Sequence, residues 1–136
     1  MTADFDATFR ALRAILSRHA PPLIVQVDTA TEYQLASPVH KDRIGRPLFL
    51  AAVQVRKAYV TYHLIPVYAV PSLLKGMSAG LKRRMQGKAC FNFTAVDAAL
   101  VRELTMLTAA AVDAAKTLSL PWEQQKAAPR RALHSS

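Results

Sequence analysis

Apolar residues recur with two different periods along the chain, and each period predicts one kind of element. Near the N-terminus the spacing is helical, with apolar residues at every third or fourth position: Phe5, Phe9, Leu12 and Leu16. Prolines at 21 and 22 are expected to end this helix, because proline lacks a backbone donor. Two runs rich in strand formers follow at 23–28 and 31–37, and a polar connection occupies 38–47.

Between residues 48 and 65 the pattern alternates, which predicts a β-hairpin. Odd positions are apolar in its first half and even positions in its second, so a turn at Arg56 and Lys57 brings apolar positions together. In that register Leu50 lies opposite His63. A four-residue loop leaves the same side chains on each face of the hairpin and is an equal alternative. The reason is that Arg-Lys lacks the glycine or asparagine of a tight two-residue turn.

The remaining sequence predicts short helical turns at 72–85, a strand at 89–93 and an amphipathic helix that runs to about Lys116. Thr94 followed by Asp97 resembles a capping box at the start of that helix. The order predicts an α+β fold, with a mostly antiparallel sheet of about five strands and the N- and C-terminal helices packed on one face. We expect one domain over 1–120 and a partly disordered basic tail over 121–136.

Composition favours a soluble globular protein, since 51% of the 136 residues are hydrophobic and 20% are charged. Cys90 is the only cysteine, which excludes an internal disulfide and a cysteine-based zinc cluster. We read neither a signal peptide nor an apolar run as wide as a bilayer. We therefore expect a cytoplasmic protein that does not associate with membranes.

Positive charge is concentrated in the middle of the chain. The formal net charge is +9, and residues 41–88 contain ten basic residues against one acid, so they account for all of it. A surface of one sign concentrates anions. The basic residues are Lys41, Arg43, Arg46, Arg56, Lys57, Lys75, Lys82, Arg83, Arg84 and Lys88.

Two runs in this region resemble the YdhG-like family of small bacterial proteins, named as a domain of unknown function. They are Tyr59-Val-Thr-Tyr-His-Leu-Ile-Pro-Val-Tyr68 and Leu81-Lys-Arg-Arg-Met-Gln-Gly-Lys-Ala-Cys-Phe-Asn-Phe93. The likeness covers about 49–115, and its most specific part is Gly87 and Lys88 followed by Phe93. It implies a compact α+β domain grouped loosely with frataxin-like proteins.

Some relatives in that family are described as possible iron chaperones, which makes frataxin-like iron binding an alternative function. Such iron handling uses clustered carboxylates, because hard cations favour oxygen ligands. The matching region contains only Asp97, Glu103 and Asp113, all on the last predicted helix. Iron binding is therefore not our first hypothesis.

The basic segment and the second face of the hairpin supply the candidate ligand-binding residues. We expect hydroxyl, imidazole and amide groups from the strands, together with cations from 75–88, to surround a carboxylate or phosphate. The residues are Tyr59, His63, Tyr68, Lys75, Lys82, Arg84, Lys88 and Asn92. A solvated basic surface explains the same charges about as well.

Cys90 raises the question of nucleophilic catalysis with His63 as the base. The apolar residues around Cys90 in sequence are expected to raise the pKa of the thiol and keep it neutral, and no third orienting group can be named. A single histidine on a half-buried strand is more often structural. We therefore predict no catalytic residue, no metal site and no cofactor.

The sequence thus predicts a non-catalytic binding protein, monomeric or homodimeric, that presents a basic groove to a small anion. Non-specific association with nucleic acid through backbone charge is a further alternative. It has weaker support, since we read no helix-turn-helix, zinc finger or aromatic ribonucleoprotein motif in the sequence.

Overall fold

The chain forms a five-stranded antiparallel sheet with its long helices on one face. The computed structural model describes residues 5–117, so the predicted tail lies outside the described residues. The helices are α1 (Phe5–Ser17), α2 (Pro66–Ala69), α3 (Ala79–Lys82) and α4 (Ala98–Ala115), with a 3₁₀ turn at Pro71–Leu74. The strands are β1 (Ile24–Asp28), β2 (Glu32–Lys41), β3 (Pro47–Val55), β4 (Val60–Leu64) and β5 (Cys90–Phe93). Each strand pairs with the next in chain order, which confirms the predicted α+β class.

The core lies between the sheet and the two long helices. Tyr62, Phe91 and Phe93 from the sheet are fully buried, as are Leu12 of α1 and Leu104 of α4. Burying a side chain of this kind stabilises the fold by about 1.5–3 kcal/mol relative to leaving it in water. The apolar stripe predicted for the first helix is therefore its core face.

A buried hydrogen bond fixes how α4 sits on the sheet. The hydroxyl of Tyr62 on β4 bonds Oγ1 of Thr108 on α4, and both residues are completely buried. A second link joins α3 to α4, where the backbone N–H of Ser78 donates to Oε2 of Glu103 over 2.7 Å. One polar contact thus attaches α4 to the sheet, and the other joins the helices α3 and α4 to each other.

The predicted hairpin is present, with the longer of the two loops considered. Val55 pairs with Val60 and Val53 with Tyr62, so residues 56–59 form a four-residue loop. His63 consequently lies opposite Ala52 rather than Leu50, which corrects the two-residue register. Apolar positions still meet on one face because both loops have the same parity.

A register shift in β3 reverses the predicted roles of two neighbours. Leu35 pairs with Ala51 and Ala36 with Phe49, so Leu50 is an extra residue in the ladder. An extra residue rotates the strand beyond it by one side-chain position. Leu50 is therefore buried in the core, whereas Phe49, predicted for the core face, meets His63 edge-on with ring centroids 6.3 Å apart.

β2 is longer than the strand predicted at 31–37, because it continues through Pro38 into the stretch expected to be a polar connection. Proline cannot donate to a ladder, so it is tolerated in a strand only where pairing is irregular. The register of β2 shifts between Ala36 and Lys41, which spans Pro38. Oγ of Ser37 accepts from the backbone N–H of His40 over 2.8 Å in this stretch.

Residues 84–86 form a short arm that pairs with β5 on its outer side. Met85 bridges Phe91, the backbone N–H of Gln86 donates to the carbonyl of Cys90, and that of Asn92 donates to Arg84. Gly87 has a φ of +79° in the turn between the two segments. A glycine is favoured there because other residues are strained at positive φ.

One detail of the C-terminal half corrects the prediction and another makes it more specific. The side chain of Asp97 itself caps α4 by accepting from the N–H of Leu100 over 2.8 Å, so Asp97 is the N-cap and not the third residue of a box opened by Thr94. The helical turns predicted at 72–85 are separate short elements, and Gly80 lies inside the second of them, α3.

Candidate functional site on the polar face of the sheet

The sheet face opposite α1 and α4 carries two rows of side chains that cross the strands. Strand pairing aligns them, since residues directly opposite one another point to the same face. The first row is Glu32, Gln54, Thr61 and Asn92, with Arg84 beside Asn92 on the outer arm. The second row is Gln34, Ala52, His63 and Cys90, with Gln86 beside Cys90.

Two neighbouring pairs in the first row are joined by side-chain hydrogen bonds. Nε2 of Gln54 donates to Oε2 of Glu32 over 2.7 Å, and the guanidinium of Arg56 donates to Oε1 of Gln54. Thr61 donates its hydroxyl proton to Oδ1 of Asn92 over 3.0 Å. The contact of Asn92 uses its oxygen, so its side-chain NH₂ group is left to donate elsewhere. Arg56 uses one of its N–H groups on Gln54, and most of the others are left as well.

A shallow cavity of about 340 Å³ lies over the β4–β5 part of these rows, and we call it the sheet-face cavity. Its lining combines a guanidinium, a phenol, a hydroxyl, an imidazole, a thiol and two amides, without a carboxylate among the described lining residues. They are Arg56, Tyr59, Thr61, His63, Gln86, Cys90 and Asn92.

His63 and Cys90 form a thiol–imidazole pair in this cavity. Nδ1 of His63 lies 2.9 Å from Sγ of Cys90 across the β4–β5 ladder, and both side chains are half-buried. Burial lowers the pKa of His63, and the cation of Arg56 lowers it further against an opposing effect of Glu32. Burial raises the pKa of the Cys90 thiol.

These directions define the resting state of the pair at neutral pH. An imidazole with a lowered pKa and a thiol with a raised pKa are both uncharged, so one hydrogen bond joins them: either the thiol donates to Nδ1, or an Nδ1–H donates to Sγ. In the first arrangement the ring proton of His63 is carried on Nε2. His63 is then a second neutral donor of the sheet-face cavity, beside the Asn92 amide.

Four of the eight predicted ligand-binding residues meet at this face. Tyr59, His63 and Asn92 line the sheet-face cavity, and Arg84 is the cross-strand neighbour of Asn92. Arg84 is half-buried, and its Nε is a buried donor that no protein acceptor meets within residues 5–117.

The other four lie elsewhere. Lys75 lines a separate cavity of about 250 Å³ against α4, on the helical side of the sheet. Lys82 is exposed on α3, which also contacts α4. Lys88 places Nζ 5.4 Å from the ring centroid of Tyr68, so these two contact each other. The basic segment therefore spreads over both sides of the molecule.

Four lining residues are absent from the predicted set: Arg56, Thr61, Gln86 and Cys90. The sequence predicts Arg56 in the hairpin turn, where strand alternation does not determine the direction of its side chain. Gln86 belongs to the outer arm, and a signal for that arm exists in the sequence, since Arg84-Met85-Gln86 and Cys90-Phe91-Asn92 both alternate polar and apolar residues around Gly87.

Between residues 5 and 117 there is no group of three or more His, Cys, Asp or Glu side chains placed to share a metal ion. The three carboxylates between residues 49 and 115 have separate local partners: Asp97 caps α4, Glu103 binds Ser78, and Asp113 lies 3.7 Å from Lys116. Within the same range, none of the helices is long and apolar enough to cross a membrane.

No protein-family model, curated protein or solved structure matches the chain.

Proposed function

We propose that this protein is a small non-catalytic binding protein whose sheet-face cavity holds an anionic small molecule through a carboxylate or phosphate group. The observation that carries the proposal is the hydrogen-bond polarity of the cavity. Its lining offers one full positive charge and several neutral donors without a carboxylate among the described lining residues.

The internal hydrogen bonds increase this donor character. Oδ1 of Asn92 and Oε1 of Gln54 are acceptors that are already used by Thr61 and Arg56, and Nδ1 of His63 is used in the same way when the Cys90 thiol donates to it. The donors available to a ligand include the amide of Asn92, the remaining N–H groups of Arg56 and, in that arrangement, the Nε2 proton of His63. Such a set favours a ligand with several acceptor oxygens, as in a carboxylate or phosphate.

The electrostatics point the same way. After burial, the largest cause of the lowered pKa of His63 is the cation of Arg56, which outweighs the opposing carboxylate of Glu32, so a positive potential extends into the cavity. The same potential stabilises a bound negative charge. A planar guanidinium can also contact two oxygens of one anion at once.

The test is a calorimetric titration with inorganic phosphate and, separately, with malonate, near 150 mM salt. We expect saturable binding that weakens about 10-fold in Arg56→Gln, because a charge-assisted hydrogen bond contributes about 1.5 kcal/mol or more. Lys57→Gln is the matched control, since Lys57 neighbours Arg56 and does not line the cavity. Absence of binding contradicts the proposal, and so does an equal loss in the two variants.

The family relationship and location belong to the same proposal. The likeness of 59–68 and 81–93 to the YdhG-like family remains a prediction, as does residence in the cytoplasm. The free thiol of Cys90 is compatible with a reducing compartment. Fractionation of cells that produce the tagged chain tests the location directly, and recovery of the protein in a non-cytosolic fraction contradicts it.

A further inference from the structure

The sheet-face cavity contains a nucleophile and a base in hydrogen-bond contact, which simple anion binding does not require. The distance of 2.9 Å between Sγ of Cys90 and Nδ1 of His63 falls in the range in which a base can take the proton of a nucleophile. The edge contact of Phe49 restricts the orientation of the His63 ring. The pair opens onto a cavity of about 340 Å³, enough space for a small reactant.

We propose that Cys90 and His63 form a covalent-modification site that accepts small anionic disulfides by thiol–disulfide exchange. This inference rests on the proposed anion-binding function, because Arg56 and Asn92 would hold the negative group of the reactant beside Cys90. Its new content is the chemistry at the sulfur and the class of reactant.

The step balances without any other redox partner. His63 Nδ1 takes the thiol proton while Sγ attacks one sulfur of the disulfide, so a new S–S bond forms as the old one breaks. The leaving thiolate takes the electron pair of the broken bond and then the proton from His63. Cys90 is oxidised to a mixed disulfide, and the leaving sulfur is reduced to a thiol.

The environment explains why the base is needed. Cys90 is half-buried, and burial that raises its pKa leaves little spontaneous thiolate at neutral pH. A neutral imidazole in contact removes the proton at the moment of attack, which typically accelerates a reaction by 10²–10⁴. The charged groups that face His63 are Arg56 and Glu32, and the net effect with burial keeps the imidazole unprotonated near pH 7.

The experiment follows release of the leaving thiol from two aromatic disulfides. Dithiobis(nitrobenzoic acid) carries a carboxylate on each ring, whereas dithiodipyridine is neutral at the pH used. Because Cys90 is the only cysteine, every released equivalent reports this one residue. We expect His63→Gln to slow both reagents at least 10-fold and Arg56→Gln to slow only the anionic one, with Lys57→Gln close to the parent protein.

A pH profile of the unsubstituted protein keeps the inference testable if His63→Gln folds poorly. With His63 as the base, the exchange rate should be nearly independent of pH above neutrality, because the lowered pKa of His63 leaves the imidazole unprotonated there. A thiol that reacts without a base instead gains about tenfold per pH unit up to its own pKa. That steep profile, or a His63→Gln protein as fast as the parent, overturns the inference.

The two proposals fail in different ways. If His63 controls the rate but the anionic reagent shows no dependence on Arg56, the anion-binding proposal and the anionic preference are contradicted. If phosphate binds and depends on Arg56 while His63→Gln leaves exchange unchanged, only the covalent chemistry is contradicted.

Discussion

The hydrogen bond between Tyr62 and Thr108 should act as an energetic link between the sheet and α4. Tyr62→Phe removes the phenol and leaves the Thr108 hydroxyl without its partner in a site that is completely buried. An unsatisfied buried polar group costs about 1–3 kcal/mol. We expect the low end, about 1 kcal/mol, because a helical threonine can turn its hydroxyl toward the carbonyl one turn earlier.

Thr108→Val should cost more, about 2–3 kcal/mol, since the Tyr62 hydroxyl is fixed by its ring and cannot turn to another acceptor. The double variant replaces both partners by apolar groups of similar shape and should lie within about 1 kcal/mol of the parent protein. The coupling energy of this double-mutant cycle is then about 2–4 kcal/mol.

Urea unfolding followed by circular dichroism measures all four proteins, and the matched control is Tyr59→Phe at a tyrosine that is 37% exposed. For a chain of this size, 1 kcal/mol corresponds to a change in Tm of about 3–6 °C. Additive single effects, with a double variant as unstable as their sum, would refute the view that this hydrogen bond positions α4.

The same tyrosine predicts a pH dependence at alkaline pH. Burial raises the pKa of Tyr62 far above its usual value, so the folded protein keeps a proton that the unfolded chain loses above about pH 10. Stability is therefore complete below that pH and falls above it by about 1.4 kcal/mol per pH unit for this residue. Tyr62→Phe should have the shallower alkaline decline, while Tyr33, whose pKa burial also raises, contributes equally to both proteins.

Three further changes test separate features by urea unfolding. Asp97→Ala should cost about 1 kcal/mol because it removes the N-cap of α4, whereas Asp113→Ala near the other end should change little; equal losses would contradict the cap. Gly87→Ala should cost about 1–2 kcal/mol through its positive φ, whereas Gly80→Ala inside α3 should be neutral or stabilising, since an added Cβ meets only ordinary contacts at 3.8 Å. The lowered pKa of His63 means that stability falls as pH drops below about 6.5, because only the unfolded chain takes up the proton; a parent protein with the same acid slope as His63→Gln contradicts this.

The fold was largely predictable because the periodic patterns of this chain are local and strong. The face of the hairpin that packs on the core could be predicted from the alternation of apolar residues, and Ala51, Val53, Val60 and Tyr62 all lie in that core. Loop length was undetermined because four residues without glycine or asparagine give no turn signal. The reversal of Phe49 and Leu50 depends on the pairing of β3 with β2, and the alternation within one strand carries no information about an extra residue in its ladder.

The site was predictable only in part, because proximity in sequence differs from proximity in space. His63 and Asn92 were placed correctly on the second face of the sheet, since strand alternation fixes that direction. The cations of the basic segment were not placed, because the segment passes from α3 on the helical side to the outer arm of the sheet, and Lys75 and Arg84 end on different surfaces.

The distribution of charge bears on which kind of anion the protein can select. Arg56 is the one residue with a full positive charge among the described residues that line the sheet-face cavity. Salt screens the attraction between one guanidinium and one bound anion only moderately, so the affinity should fall only a few-fold, roughly, between 50 and 200 mM salt. Nucleic acid held by many dispersed lysines and arginines would lose several orders of magnitude over the same range. A shallow salt dependence therefore separates a defined site built from neutral donors and one guanidinium from attraction to the general basic surface.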